Sequence, residues 1–261
     1  MNKIKLSEKN LILTVFVAVE SLLYIVFNVI SILQPYESVE SIVLKYLSII
    51  LCLICATVML FKYYRNKDAV LVVVALIFTA ISDLFILVLD ECFDQNGLFP
   101  LQYNIGLFTF MIAHCIYLYR LYADRIKKIW ITLVVRAVLI AILAGVVCGL
   151  SGFNLLVFEA CFYIVILGGN VVDGFIICKR SRKNLLFAIG LLCFLLCDIF
   201  VGLQNADMLG IDIRSAYRII TNFIWIFYVP AQVLFVLSIS KDGMSNKIEK
   251  PAEELIKDDE S

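Results

Sequence analysis

Apolar residues fall in long unbroken runs rather than in alternation. Eight runs stand out, at residues 10–33, 41–62, 69–90, 102–122, 129–150, 154–178, 185–204 and 215–240. A helix that crosses a bilayer needs about 20 mostly apolar residues. Strands of a membrane barrel would instead alternate. The pattern therefore predicts an all-α polytopic membrane protein with about eight transmembrane helices. It forms a single domain over residues 1–240, and residues 241–261 form a charged tail whose composition predicts disorder. The first run follows Lys3, Lys5 and Lys9, as a signal peptide would. Glu20, the continuation to Leu33 and the lack of a small-residue cleavage site make it a retained span.

The polar segments between runs alternate in sign. Lys62, Arg65 and Lys67 follow span 2, Arg125, Lys127 and Lys128 follow span 4, and Lys179, Arg180, Arg182 and Lys183 follow span 6. Lys241, Lys247, Lys250 and Lys257 lie in the tail. The intervening loops carry Glu37, Glu40, Glu91, Asp94, Asp207 and Asp212, with Arg214 as the exception. The positive-inside rule then puts both termini in the cytoplasm, and a missed span would break the alternation. Composition agrees: the chain is 62% hydrophobic and 17% charged, with a mean hydropathy of +0.98. Soluble domains are about 45–50% apolar, so an ordinary soluble enzyme is excluded. The 22 basic and 22 acidic residues cancel, which leaves no basic footprint for a nucleic-acid partner.

The scarce charges inside the spans carry the chemistry, because a carboxylate in the bilayer costs at least about 2.5 kcal/mol. Arg65-Asn66-Lys67 leads into span 3, which reaches Ser82-Asp83-Leu84-Phe85. Arg180-Ser181-Arg182 leads into span 7, which reaches Cys197-Asp198-Ile199-Phe200 at the same spacing. Spans four apart run in the same direction, so the match suggests two four-helix halves related by a parallel repeat. At 1.5 Å per residue both aspartates lie roughly 20 Å from the basic end, somewhat beyond the midplane. If they face each other, repulsion and desolvation keep one protonated and leave the other ionised. That is the division of labour acid–base hydrolysis requires. The competing reading is a structural hydrogen-bond or ion pair between helices.

Other polar residues recur at helical spacing: Glu20, Tyr24, Asn28 and Ser31 in span 1, and Thr79, Asp83 and Asp90 in span 3. Span 6 has Glu159, Tyr163, Asn170 and Asp173; span 8 has Arg218, Asn222, Trp225 and Gln232. These faces should avoid lipid and converge on one polar interior. Arg136 in span 5 is a candidate counter-ion for one of these carboxylates. The single histidine, His114, leaves a His-rich zinc site impossible. By itself it reads more readily as a packing or hydrogen-bonding residue, with Tyr117 one turn on. Cys52-x-x-Cys55 lies mid-span without a second ligand pair and reads as packing. Gly145-x-x-x-Gly149 predicts close helix packing, and Gly168-Gly169 a packing notch or kink. No P-loop, Rossmann fingerprint or nucleophile elbow occurs.

Two segments carry a resemblance. Spans 3 and 4 read Phe78-Thr-Ala-Ile-Ser-Asp83-Leu-Phe and Gly106-Leu-Phe-Thr-Phe110-Met-Ile-Ala113-His114-Cys-Ile-Tyr117. Span 7 ends in Cys197-Asp198, and span 8 holds Tyr228-Val-Pro-Ala231-Gln232. Over roughly residues 65–240 this resembles the YhhN/lysoplasmalogenase family, in which Gly-Asp precedes Gly-x-x-x-Phe-x-x-Ala-His-x-x-Tyr. Ser82 stands where the family has Gly, and Cys197 where it has Ser. The resemblance implies an eight-span hydrolase of lipid metabolism that cleaves the vinyl ether of an ether lysophospholipid, a lysoplasmalogen. It would release a fatty aldehyde with no metal or other cofactor. Asp83 and Asp198 would be the general acid and base, with His114 positioning water or relaying a proton. Tyr117, Asn222, Tyr228, Gln232 and Asp173 would line the substrate site. The expected partners are the lysophospholipid and membrane lipids. The expected location is a plasma membrane if bacterial or an endomembrane if eukaryotic. Alternatives are a proton- or cation-coupled transporter using the aspartates, and a non-catalytic lipid-binding scaffold.

Overall fold

Polar caps decide where two of the helices begin. Ser38 Oγ accepts the Ser41 amide at 3.3 Å, and Asn66 Oδ1 accepts the Ala69 amide at 2.9 Å, each satisfying an orphan first-turn donor. The structure, a computed structural model, describes residues 3–33, 38–89, 99–123, 126–178, 181–204 and 216–239. These are helical almost throughout, with no strand among the described residues. The elements are α1 (Lys3–Leu33), α2 (Val39–Val58), α3 (Lys67–Asp83), α4 (Phe99–Tyr122), α5 (Ile126–Ser151), α6 (Leu155–Cys178), α7 (Arg182–Gln204) and α8 (Tyr217–Leu237). Eight helices are long and apolar enough to cross a membrane, one for each predicted span. Glu37, Asp90, Glu91, Cys92, Asp94, Arg125, Lys179, Arg180, Asp207, Asp212, Arg214 and the tail 241–261 lie outside the described residues. The side chains of Lys3, Lys5, Lys127 and Arg218 lie outside them too.

Two π-helical turns, which the apolar pattern did not predict, extend α2 over Met59–Tyr64 and α3 over Leu84–Leu89. The first ends at Arg65, in the left-handed region at φ 44°, whose amide reaches the Leu60 carbonyl at 2.9 Å. The second begins directly after Asp83; π turns favour functional sites. Pro230 is accommodated inside α8.

Contacts between helix ends establish the alternation of direction. At one end Lys62 pairs with Glu8, Arg120 near the end of α4 binds Asp68 and Ser238, and Lys183 donates to the Leu237 carbonyl. At the other, Ser31 meets Ser41 at 2.8 Å, and Gln204 donates to the Tyr217 hydroxyl at 2.7 Å. These are called the basic and the acidic end, after the sign of the loops.

Helix α3 packs along α4 and α7 along α8, the pairing a parallel repeat predicts. The halves interlock, because α8 also packs on α1 and α2, and α4 on α6. The core between them is aromatic: Tyr117, Phe187, Phe194, Trp225, Tyr228 and Phe235 are all buried. Helix α5 lies at the periphery, with Trp130, Val134, Val138 and Ile142 exposed as lipid-facing residues should be.

Two expectations need correction. A Cβ added at Gly145 or Gly149 would meet nothing within 4 Å, so this small-residue pair borders open space within one chain. The polar stripes also do not share one interior. Glu20 accepts hydrogen bonds from Ser48 and Cys52, while Asn28 and Thr79 bond to their own helix backbone. Arg136 forms another cluster with Asn170 and Asp173. Short polar side chains are satisfied locally where a neighbour is in reach, which divides the bundle interior into separate polar clusters.

Candidate active site

The α3–α4 contact fixes the first aspartate. Ser82 Oγ donates to the Gly106 carbonyl at 2.6 Å. A Cβ on Gly106 would come within 2.3 Å of the Ile86 side chain and 3.3 Å of the Ser82 carbonyl oxygen. Only glycine admits this approach. Asp83, the next residue, is buried. Its carboxylate accepts a hydrogen bond from the Tyr228 hydroxyl of α8. Asp198 of α7 is half-buried and accepts one from the Tyr163 hydroxyl of α6 at 2.5 Å.

The two carboxyl groups lie within electrostatic reach of each other, and Cys197 lies within reach of both. The Tyr46 hydroxyl of α2 donates to the Ala80 carbonyl of α3 at 3.4 Å, one turn from Asp83. Aromatic rings wall the cluster. Phe110 lies 6.5 Å from Tyr163, 6.4 Å from Tyr228 and 5.6 Å from Phe194. Phe194 and Trp225 lie 5.3 and 5.5 Å from Tyr228. Six helices thus meet around two carboxyls, nearer the acidic end of the bundle.

Of the other predicted site residues, some join this cluster. His114 is 0% exposed, with Phe194 at 4.7 Å and Tyr163 at 5.4 Å. Neither of its ring nitrogens has a hydrogen-bond partner among the described residues. Its carbonyl accepts from Asn170 Nδ2 at 2.9 Å. Tyr117, one turn toward the basic end, packs 5.7 Å from His114. Gln232, one turn from Tyr228 on α8, is buried. The Tyr117 hydroxyl and both Gln232 amide atoms also lack partners among the described residues. Buried polar groups are rarely left so, and a pocket that takes a polar ligand or water is one place where they are. Asn222 is half-buried and lies toward the acidic end, one to two turns from Tyr228.

Asp173 is not brought to the cluster. Arg136 Nη2 binds it at 2.5 Å, and Arg136 Nη1 binds Asn170 Oδ1 at 2.7 Å. Ten residues separate Asp173 from Tyr163 on α6, or roughly 15 Å along the axis. It anchors α5 to α6 instead, as the carboxylate for which Arg136 is counter-ion. The predicted notch at Gly168-Gly169 serves this pair: a Cβ on Gly169 would lie 2.7 Å from the guanidinium.

Sequence reasoning missed the buried clamp at the basic end. Arg120 Nε and Nη2 donate to the two Asp68 oxygens at 2.7 and 2.9 Å. Nη1 and Nη2 reach Ser238 Oγ and the Ser238 carbonyl at 2.8 and 3.1 Å. The Phe187 ring lies 4.5 Å away. The depth argument applied to the aspartates would have found it, since Asp68 opens span 3 and Arg120 closes span 4. Lys45, buried in α2, was missed as well.

A family model described as the YhhN family matches residues 40–239, three quarters of the chain. The chain belongs to the YhhN family. No curated protein and no solved structure matches it. The YhhN match runs from α2 through α8, so it includes every residue of the Asp83–Asp198 cluster. The motif glycine, Gly106, is the contact point of α3 and α4, and the motif phenylalanine, Phe110, is a wall of the cluster. The departures at Ser82 and Cys197 both sit beside the aspartates, and both keep a polar atom there. The chain is thus a multi-pass integral membrane protein of this family.

Proposed function

We propose that this protein hydrolyses the vinyl ether bond of a lysoplasmalogen at Asp83 and Asp198. The observation that carries the reading is the pair itself. Two carboxyls from corresponding helices lie within electrostatic reach of each other in an aromatic setting, each held by a tyrosine hydroxyl. Membership of the YhhN family, whose members are lysoplasmalogenases, supports it.

The reaction follows from the arrangement. One carboxyl starts protonated and the other ionised. The acid gives its proton to the vinyl carbon remote from the ether oxygen, and the π electrons form the new C–H bond. Positive charge develops on the carbon–oxygen unit as an oxocarbenium ion, which nearby carboxylate charge stabilises. The ionised carboxylate takes a proton from water as the water oxygen bonds to that carbon, giving a hemiacetal. On collapse the first carboxylate recovers the hemiacetal hydroxyl proton. The second carboxyl protonates the departing glycerol oxygen. Water and vinyl ether have become aldehyde and alcohol, and both carboxyls regain their starting states.

The tyrosine hydroxyls position the carboxyls, and His114 and Gln232 offer polar atoms to water. The alkenyl chain lies among the aromatic walls. With the basic end in the cytoplasm, as the loop charges predict, the reacting bond sits in the opposite half of the bilayer. The test is aldehyde release by the purified protein in detergent. Expected is aldehyde from the alkenyl lysolipid and none from its saturated alkyl analogue. A folded protein that makes no aldehyde from the alkenyl substrate refutes the reading.

A further inference from the structure

The geometry points to Lys45 as the residue that holds the phosphate of a lysophospholipid head group while the chain enters the aspartate cluster. This rests on the reading of the site given above and assigns a role to a residue outside its acid–base machinery. Lys45 is 1% exposed, on the inward face of α2. An ammonium buried in a membrane span is expensive and marks function by default. It lies on the same α2 face as the buried hydroxyls Ser41 and Ser48, one turn to either side.

Contacts lead from this ammonium to the reacting carboxyl. Lys45 Nζ lies over the Trp225 ring, 4.8 Å from its centroid. The Trp225 ring lies 5.5 Å from that of Tyr228, whose hydroxyl donates to Asp83. The next residue, Tyr46, donates to the Ala80 carbonyl of α3, one turn from Asp83. One indole and one phenol thus separate the cation from the carboxylate.

A lysoplasmalogen has the matching spacing. Its phosphorus and vinyl ether carbon are roughly six bonds apart, on the order of 7 Å. A contact of ~3 Å at each end extends the reach across about two ring widths. An ammonium has three donors and can add a phosphate oxygen to the neighbours it already has. Trp225 provides the glycerol with a flat wall.

The test measures binding, so it does not depend on turnover. Trp130→Phe, on the exposed face of α5, leaves Trp225 as the sole tryptophan reporter. This full-length protein in nanodiscs is titrated below micelle concentrations with a saturated 1-O-alkyl lysophosphocholine. Parallel arms use the matching 1-O-alkylglycerol, glycerophosphocholine and inorganic phosphate. Expected is binding about tenfold tighter for the phosphate-bearing lipid than for the alkylglycerol. Lys45→Met should bring that ratio to about one with alkylglycerol affinity unchanged, whereas Lys45→Arg should keep most of it.

Lys45→Gln, which keeps a polar but uncharged end one atom shorter, replaces Lys45→Met if the latter does not fold. A parent ratio near one overturns the inference without any variant. So does a ratio unchanged in Lys45→Met or Lys45→Gln, or inorganic phosphate saturating Trp225 as well as the lipid does. Phosphate-selective binding lost with Lys45, in a protein that releases no aldehyde, would leave this inference standing and refute hydrolysis alone.

Discussion

The Arg120 clamp gives a sharp prediction because the structure supplies both its geometry and its magnitude. Arg120 is 1% exposed and makes two hydrogen bonds to Asp68 and two to Ser238. Asp68→Ala removes the one carboxylate paired with it among the described residues and leaves a buried guanidinium without its counter-charge. Breaking such a pair costs about 3–5 kcal/mol. At about 2–4 °C per kcal/mol for a chain approaching this length, the melting temperature should fall by roughly 6–20 °C. Asp68→Ala with Arg120→Met removes the stranded charge and puts an apolar side chain in its place, so most of the loss should be recovered. The assay is a thermal ramp in detergent with a thiol-reactive dye, because Cys52, Cys55, Cys161 and Cys197 are buried free thiols that unfolding exposes. A single variant melting within about 1 °C of the parent, or a double variant no better than the single, would refute the reasoning.

Two further predictions follow from contacts at other points. Tyr228→Phe and Tyr163→Phe each remove a hydrogen bond to a carboxyl, worth about 1.5–3 kcal/mol. The rate of aldehyde release should fall about 10–150-fold where that energy is lost in the transition state, and at about 2–4 °C per kcal/mol the melting temperature should fall by roughly 3–12 °C. Gly169→Ala and Gly149→Ala should move stability in opposite directions. The first drives a methyl against the Arg136 guanidinium and should cost about 1–3 kcal/mol. The second meets open space and should stabilise by roughly 0.5–1 kcal/mol through helix propensity.

Much of the architecture was legible from the chain because bilayer physics is one-dimensional. Continuous apolar length gave eight helices. Counting 1.5 Å per residue from a basic flank put Asp83 and Asp198 at one depth, and Phe110 lies between their tyrosine partners, 6.5 Å from Tyr163 and 6.4 Å from Tyr228. Azimuth was harder to read than depth. Tyr163 was visible as a polar stripe residue, but its bond to Asp198 depends on how α6 is rotated against α7. Asp173, on the same stripe, turns to Arg136 instead. Gly145 and Gly149 fit a packing motif, yet a motif has no partner until a second helix approaches it. The π turn after Asp83 leaves no hydropathy signature, since Leu84–Leu89 is as apolar as the α-helical residues before it.

The central claim is that Asp83 and Asp198 jointly protonate and hydrate a vinyl ether. The most direct measurement follows aldehyde release from the alkenyl lysolipid in heavy water by the parent, Asp83→Asn and Asp198→Asn proteins, each first shown to be folded. The account predicts that the parent's aldehyde, analysed as it forms, carries one deuterium on the carbon next to the carbonyl, delivered by the acid. It predicts that either substitution abolishes that product, because an amide can neither donate that proton nor accept one from water. Undeuterated aldehyde, or full activity in both variants, would contradict it.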